Sequence, residues 1–240
     1  KVSLFVSCLV DQVRPEAGIA AVEVLRQAGC EVDFPDAQTC CGQPAFNSGH
    51  LPEACKVAAS FLDVFADAET IVVPSGSCAA MIRHMPSLFP EGSREKEQAR
   101  EAAAKTHEFS SFLVDRLGVE DLGARFPGRV AWHDACHALR DLGIRTEPRR
   151  LLAAVKDLEL VEWSAADACC GFGGTFAVNE EAVSCMMGND RIRDHLDAGA
   201  EVLTGVDMSC LMHLEGLIRR QKKNLRVMHV AEILIAGERA

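Results

Sequence analysis

A duplicated cysteine pattern constrains the fold of this 240-residue chain more than any other feature of its sequence. Two adjacent cysteines precede a glycine in TCCGQPAFNSG (residues 39–49) and again in ACCGFGGTFAV (residues 168–178). The first half contains Cys8, Cys40, Cys41 and Cys78, and the second half contains Cys136, Cys169, Cys170 and Cys210. Matching cysteines lie 128, 129 or 132 residues apart, and the glycines that follow the pairs, Gly42 and Gly171, match as well. Because eight cysteines share one register, we interpret the chain as an internal duplication.

Apolar periodicity in each copy predicts strands that alternate with helices. The predicted strands span residues 2–7, 31–34 and 71–73 in the first copy and residues 130–132, 158–161 and 202–204 in the second. The predicted helices span residues 16–28, 51–66, 94–117, 147–155 and 180–198. We therefore predict an α/β fold of two pseudo-symmetric halves, each a small parallel sheet flanked by helices. Residues 1–125 would form the first cysteine-rich domain and residues 126–240 the second.

The cysteines of each copy follow three different predicted strands. In a parallel sheet the carboxyl ends of all strands lie at one edge, where ligands bind. We therefore expect the cysteine loops of each half to converge at that edge, so that each half gathers four thiols in one crevice.

Four converging thiols indicate a site for a soft metal. Thiolates favour zinc, copper(I) or iron–sulfur clusters. Zinc sites mostly use Cys-x-x-Cys pairs, which neither half contains. Adjacent cysteines that come from separate loops suit an iron–sulfur cluster better, because they can bind different irons. Gly42 and Gly171 would then let the backbone pass close to the cluster.

The eight duplicated cysteines could instead be redox-active thiols, and that alternative stays open. Packing accounts for Cys30, Cys55 and Cys185, which fall in predicted helices or at a turn. A disulfide between neighbouring cysteines would be strained. The glycine-rich CCGFGGTF lacks the spacing of a phosphate-binding loop.

The net charge of −10 argues against a nucleic-acid-binding protein, and the short basic run RRQKK is typical of a solvated helix end. No stretch approaches 18 apolar residues, so we predict no membrane span. The apolar KVSLFVSC at the start is expected to be a strand, not a signal peptide. These features predict a cytoplasmic protein that docks onto a protein partner.

The cysteine pattern and its flanking segments resemble a known family. CLVD, FPDAQTCCGQPAFNSG, PSGSC, CCGFGGTFAV, GAEVL and VMHVAEIL are similar to the cysteine-rich CCG domain family, which includes the cysteine-rich subunit of heterodisulfide reductase and the iron–sulfur subunit of glycolate oxidase. They look most similar to its lactate-utilization branch. That resemblance implies an iron–sulfur electron-transfer subunit of a complex that oxidises L-lactate to pyruvate. It also implies two partner subunits, one of them ferredoxin-like.

Two further functions stay open beside that one. The first is a zinc- or thiol-based assembly module without electron transfer, and the second is a catalytic subunit like that of heterodisulfide reductase. Heterodisulfide reductase ends each copy with Cys-x-x-Cys, which supplies five thiols. Here the first position of that pair is occupied by Ser75 and Asp207, which leaves four thiols per half. We therefore expect up to two ordinary four-iron, four-sulfide (4Fe-4S) clusters. A shifted alignment makes Met81 and His213 the replaced residues, with His213 then a candidate ligand.

Several residues beside the cysteines are candidates for contacts with the cluster or a substrate. His133 and His137 flank Cys136 and could hydrogen-bond to cluster sulfur, bind a carboxylate or move a proton. The other candidates are Gly42, Gly171, Ser75 and Asp207, with Gln43, Asn47 and Ser77 as hydrogen-bond donors and Arg140 as a carboxylate ligand. The sequence identifies no catalytic residue.

Overall fold

The computed structural model describes residues 1–162 and 167–237, which form two parallel four-stranded sheets flanked by helices. The first sheet has the order β2-β1-β3-β4, with β1 Val2–Leu4, β2 Val32–Asp33, β3 Ile71–Val73 and β4 Thr106–Glu108. The second has the order β6-β5-β7-β8, with β5 Arg125–Trp132, β6 Lys156–Val161, β7 Val202–Gly205 and β8 Arg226–His229. All of these neighbouring strands pair in parallel. The predicted α/β class with two similar halves is confirmed.

The helices follow the strands in both halves. The first half contains α1 Cys8–Val13, α2 Pro15–Gln27, α3 Gln43–Asn47, α4 Leu51–Val64, α5 Gly76–His84, α6 Arg94–Ala104 and α7 Phe109–Ser111, with further helical turns at Met85–Leu88 and Phe112–Arg116. The second contains α8 Cys136–Arg140, α9 Glu147–Ala153, α10 Phe176–Asn179, α11 Glu181–Asp197, α12 Met208–Arg220 and α13 Val230–Leu234. Among the residues that the structure describes, no helix is both long enough and apolar enough to cross a membrane.

Helix α2 shows how local sequence sets an element. It starts at Pro15, whose fixed φ suits a first helical turn. Its buried side chains recur three or four residues apart and are Ala17, Ala20, Ala21, Val24 and Leu25. This spacing places them on one face. They belong to the larger apolar core, which draws residues from both halves. The predicted domain boundary between residues 125 and 126 therefore stays a prediction.

The predicted helix over residues 94–117 is interrupted after Ala104 and is helical again only from Phe109 to Arg116. Between these segments the chain forms β4, which pairs with β3 through Ile71↔Thr106, Val72↔His107 and Val73↔Glu108. Three residues are too few to show strand periodicity, and the helix-like charge pattern of α6 hides the change. β8 was missed for a similar reason, since it is four residues long and lies beside the basic end of α12.

The end of β4 carries a titratable group that should make the stability depend on pH. Burial raises the pKa of Glu108 to about 7, although the backbone N–H groups of Ser110 and Ser111 donate to its carboxylate. A folded-state pKa above the unfolded value stabilises the fold at low pH, and that stabilisation is lost as the pH rises from about 4.5 to 7.

The Glu108→Gln variant should remove this pH dependence because glutamine stays neutral. Relative to the parent chain, it should gain about 3 kcal/mol in free energy of unfolding between pH 4 and pH 8. Urea denaturation of the metal-free proteins at both pH values measures this change. Equal differences at the two pH values would contradict it.

Candidate metal centre

The local fold places every duplicated cysteine at the carboxyl edge of a sheet. Cys8 and Cys136 begin α1 and α8, and Cys78 and Cys210 lie in the first turns of α5 and α12. The two adjacent pairs lie on the loops that follow β2 and β6. Helix N-termini carry partial positive charge, which stabilises a thiolate.

All eight cysteines line one cavity of about 110 Å³. The duplication predicts a crevice in each half, whereas the structure brings the two four-thiol groups to a single space between the halves. All eight are free thiols. Of the other predicted site residues, Gln43, Asn47, Ser75, Ser77, His137 and Asp207 share in the lining. Their convergence agrees with the strand-end argument, and their role as ligands stays a prediction.

Thiol–thiol contacts in the first half determine where its negative charge lies. The Cys8 thiol donates to Cys40 over 3.7 Å between the sulfurs, and the Gly42 N–H donates to the same sulfur at 3.4 Å. Hydrogen bonds from Cys41 and Cys8 hold the pKa of Cys40 well below its usual range. Hydrogen bonding to Cys40, together with burial, raises the pKa of Cys8 and Cys41.

The second half repeats this arrangement. Hydrogen bonds from Cys136 and Cys170 lower the pKa of Cys169, and the Gly171 N–H donates to the Cys169 sulfur at 3.4 Å. The pKa values of Cys136 and Cys170 are raised, first through their bonds to Cys169 and then by burial. Each group thus holds a thiolate stabilised by neighbouring thiols, and a bound metal would displace those protons.

Gly42 and Gly171 are needed for a reason that the sequence did not reveal. Both adopt positive φ angles, 85° and 91°. A Cβ at Gly171 would lie 2.5 Å from the Ser184 carbonyl oxygen of α11, and one at Gly42 would contact Val57 of α4 at 3.4 Å. Gly171 is therefore crowded against α11, whereas Gly42 makes an ordinary contact with α4, and the expectation that both let the backbone pass close to a cluster stays a prediction.

Ser75 and Asp207, the two positions at which the fifth thiol is replaced, hydrogen-bond to each other. Asp207 accepts hydrogen bonds from the Ser75 hydroxyl at 2.8 Å and from the Ser77 hydroxyl at 2.5 Å. Its second oxygen accepts the Ser77 backbone N–H at 2.9 Å. In the shifted alignment, which stays a prediction, the replaced residues do not line the cavity. Met81 lies in the smaller apolar core, and the His213 Nε2 lies 3.4 Å from the Ser184 carbonyl oxygen.

The two candidate histidines have different environments. His137 lines the cavity, is partly exposed and places its Nδ1 2.6 Å from the Asp141 carboxylate. His133 is 1% exposed. One of its ring nitrogens and the sulfurs of Cys170 and Cys210 all lie within 4.8 Å of one another. The structure therefore places His133 closer to a metal-binding arrangement than its neighbour.

Some expectations concern residues outside the cavity, and one contact was missed. Arg140 donates to the Asp167 carbonyl oxygen at 2.6 Å, so its guanidinium holds a loop. The Cys55 thiol donates to the Leu88 carbonyl oxygen, and Cys30 and Cys185 pack against the larger core. The His137–Asp141 pair was not predicted, although its spacing of four residues on a helix could have indicated it.

Residues 2–83 and 130–215 both match the family described as CCG, cysteine-rich domain. The chain belongs to this CCG family. Lactate utilization protein A of Geobacillus kaustophilus strain HTA426 is 49% identical over 236 residues, covering 98% of this chain and 99% of the relative. Lactate utilization protein A of Bacillus subtilis strain 168 is 46% identical over 234 residues, covering 98% of each.

A solved structure of a hypothetical protein from Helicobacter pylori shares the fold of this CCG chain. Its TM-score is 0.69 at 10% sequence identity, and the match covers 100% of this chain and 49% of that one. The chain thus spans about half the length of that protein. At this identity the likeness concerns the fold alone.

The donor atoms of this CCG cavity fit a soft metal ion or an iron–sulfur cluster. Eight free thiols line it, and backbone N–H groups already donate to three of their sulfurs, those of Cys40, Cys169 and Cys170. Such N–H···S bonds stabilise thiolate ligands. Behind the lining, a ring nitrogen of the buried His133 lies within 4.8 Å of the sulfurs of Cys170 and Cys210.

Proposed function

We propose that this chain is an iron–sulfur electron-transfer subunit of a cytoplasmic complex that oxidises L-lactate to pyruvate. The observation that carries the proposal is the cavity lined by two equivalent groups of four free thiols. Relatives named lactate utilization protein A, nearly half identical over almost the whole chain, support a role in lactate utilization. The complex would include two partner subunits, one of them carrying ferredoxin-type clusters.

The eight duplicated cysteines would hold up to two clusters of the 4Fe-4S type, one per group. When bound, such clusters accept and pass on single electrons. The N–H groups of Gly42, Gly171 and Phe172 donate to cysteine sulfurs at 3.4 Å. Donation of this kind stabilises negative charge on the sulfurs and so raises the reduction potential.

Asp207 and its serine partners would keep the two groups in fixed relation. Asp207 belongs to the second half, and the Ser75 and Ser77 groups that donate to it belong to the first. All three residues are buried in the cavity wall. A fixed spacing between two one-electron centres lets the chain collect the two electrons that a hydroxy acid releases.

A zinc-binding assembly module is the second candidate, and one observation favours it. His133, Cys170 and Cys210 place three donor atoms within 4.8 Å of one another, a spacing compatible with a single ion. Such a module would bind metal without accepting electrons.

Metal and sulfide analysis of anaerobically purified protein distinguishes these functions. We expect a brown protein with iron and acid-labile sulfide in equal amounts, about eight of each per chain when both groups are filled. Addition of lactate should reduce these centres only when the partner subunits are present, which electron paramagnetic resonance would show. Stoichiometric zinc without iron would contradict electron transfer and favour the assembly module.

A further inference from the structure

His133 is an imidazole buried beside a thiol of the second group. It directly follows β5, its side chain is 1% exposed, and its ring interacts with the Cys210 thiol. The His195 ring lies edge-on to it at 6.0 Å between centroids.

The thiols of the second group lie beside this imidazole. One ring nitrogen of His133 and the sulfurs of Cys170 and Cys210 lie within 4.8 Å of one another. Hydrogen bonds with Cys170 and with the His133 imidazole together lower the pKa of Cys210 to about 6 despite its burial. The ring therefore faces the sulfur atoms that the candidate centre would use.

The first half has no imidazole at the equivalent place. Phe5 lies three residues before Cys8, as His133 lies three residues before Cys136. The two also make the same backbone contact with the neighbouring strand, since the Phe5 N–H donates to the Val72 carbonyl and the His133 N–H to the Thr204 carbonyl. The duplication thus placed phenyl and imidazole rings at one structural position.

Phe5 shows what packing alone requires there. It is fully buried and meets Phe61 edge-on at 5.2 Å and Phe65 at 5.7 Å between ring centroids. A hydrocarbon ring satisfies this position in the first half, so the nitrogen atoms of His133 add something that packing does not need.

We propose that His133 is a metal ligand, so that the second thiol group binds its metal through nitrogen and sulfur, whereas the first binds through sulfur alone. Neutral imidazole and thiolate together suit zinc and iron. This inference rests on the proposed function only for the identity of the metal. If the metal is iron, the imidazole would replace one of the four thiolates that the proposed function gives to the second group, and a neutral ligand in place of a thiolate raises the reduction potential. Electrons would then collect on the second group.

Nitrogen hyperfine coupling tests the bond directly. The experiment uses the Cys41→Ser chain, in which the first group is disabled. This chain is labelled with ¹⁵N-histidine, loaded with iron and sulfide in the absence of oxygen, and then reduced. Pulsed electron paramagnetic resonance should show strong ¹⁵N coupling, which His133→Phe removes. His213→Phe is the matched control because His213 also lies near Cys169, and it should keep the coupling. Strong coupling that survives His133→Phe would overturn the proposal.

Cobalt(II) binding tests the same ligand without iron. Metal-free Cys41→Ser chain should bind cobalt(II) with a spectrum of mixed nitrogen and sulfur ligation, and adding His133→Phe should weaken binding at least about tenfold. His133→Cys covers the case in which His133→Phe does not fold. It restores a donor, so binding should persist with an all-sulfur spectrum. Unchanged affinity and spectrum in both variants would overturn the ligand role. If cobalt(II) binds as expected and His133→Phe weakens that binding, but the chain never takes up iron, the ligand role stands and the proposed function is rejected.

Discussion

The Cys41→Ser variant is expected to bind about half of the iron that the parent chain binds, because the two thiol groups act as separate sites. Although they share a cavity, the thiol–thiol hydrogen bonds within the described residues join cysteines of one half only. Loss of one thiolate should therefore disable its own group and leave the other intact. Iron and sulfide analysis after anaerobic reconstitution measures the loss.

Matched variants make the test sharper. Cys170→Ser, at the equivalent position of the second half, should also remove about half of the iron, and the double variant should remove nearly all of it. Cys55→Ala should leave the iron content unchanged, since that thiol donates to the Leu88 carbonyl oxygen away from the cavity. If either single variant binds no iron, the eight thiols form one shared centre, and the two-site interpretation is wrong.

The convergence of the cysteines could be predicted because it depends on local rules. Short apolar strands alternate with helices, parallel pairing follows from that order, and residues after the strands then meet at one edge. The lengths of β4 and β8 could not be predicted, because three or four residues carry too little periodicity.

The shared cavity could not be predicted, because it depends on how the halves pack. Gly76 at the start of α5 lies so close to α8 that a Cβ there would be 2.5 Å from the Ala138 Cβ. No pattern within either copy specifies that approach. The importance of His133 was hidden for a similar reason. Its neighbour His137 adjoins a cysteine and so draws more attention in the sequence, whereas the burial of His133 and its approach to Cys170 and Cys210 are properties of the folded chain.

The second large expected effect is a loss of stability when the hydrogen bonds from Ser75 and Ser77 to Asp207 are removed. The Asp207→Ala variant should lower the free energy of unfolding by about 3 kcal/mol, because it leaves the buried Ser77 N–H without an acceptor and removes a carboxylate from the N-terminus of α5. Ser77→Ala is the matched control and should cost only about 1 kcal/mol, since Asp207 keeps the Ser75 hydroxyl and the Ser77 backbone N–H as donors. Urea denaturation of metal-free protein measures both, because bound metal would add its own stabilisation.

The effect of replacing Asp207 on stability should be separable from its effect on metal binding. Hydrogen bonding to Cys169 and burial raise the pKa of Cys136, and the negative charge of Asp207 adds to that rise. An Asp207→Asn variant removes the charge, so thiolates of the second group should form more easily and bind cobalt(II) at least as tightly as in the parent chain. The same variant should unfold at lower urea concentration. If cobalt(II) affinity falls together with stability, Asp207 supports the site through structure alone. If affinity holds while stability falls, its charge opposes the thiolates that it helps to position.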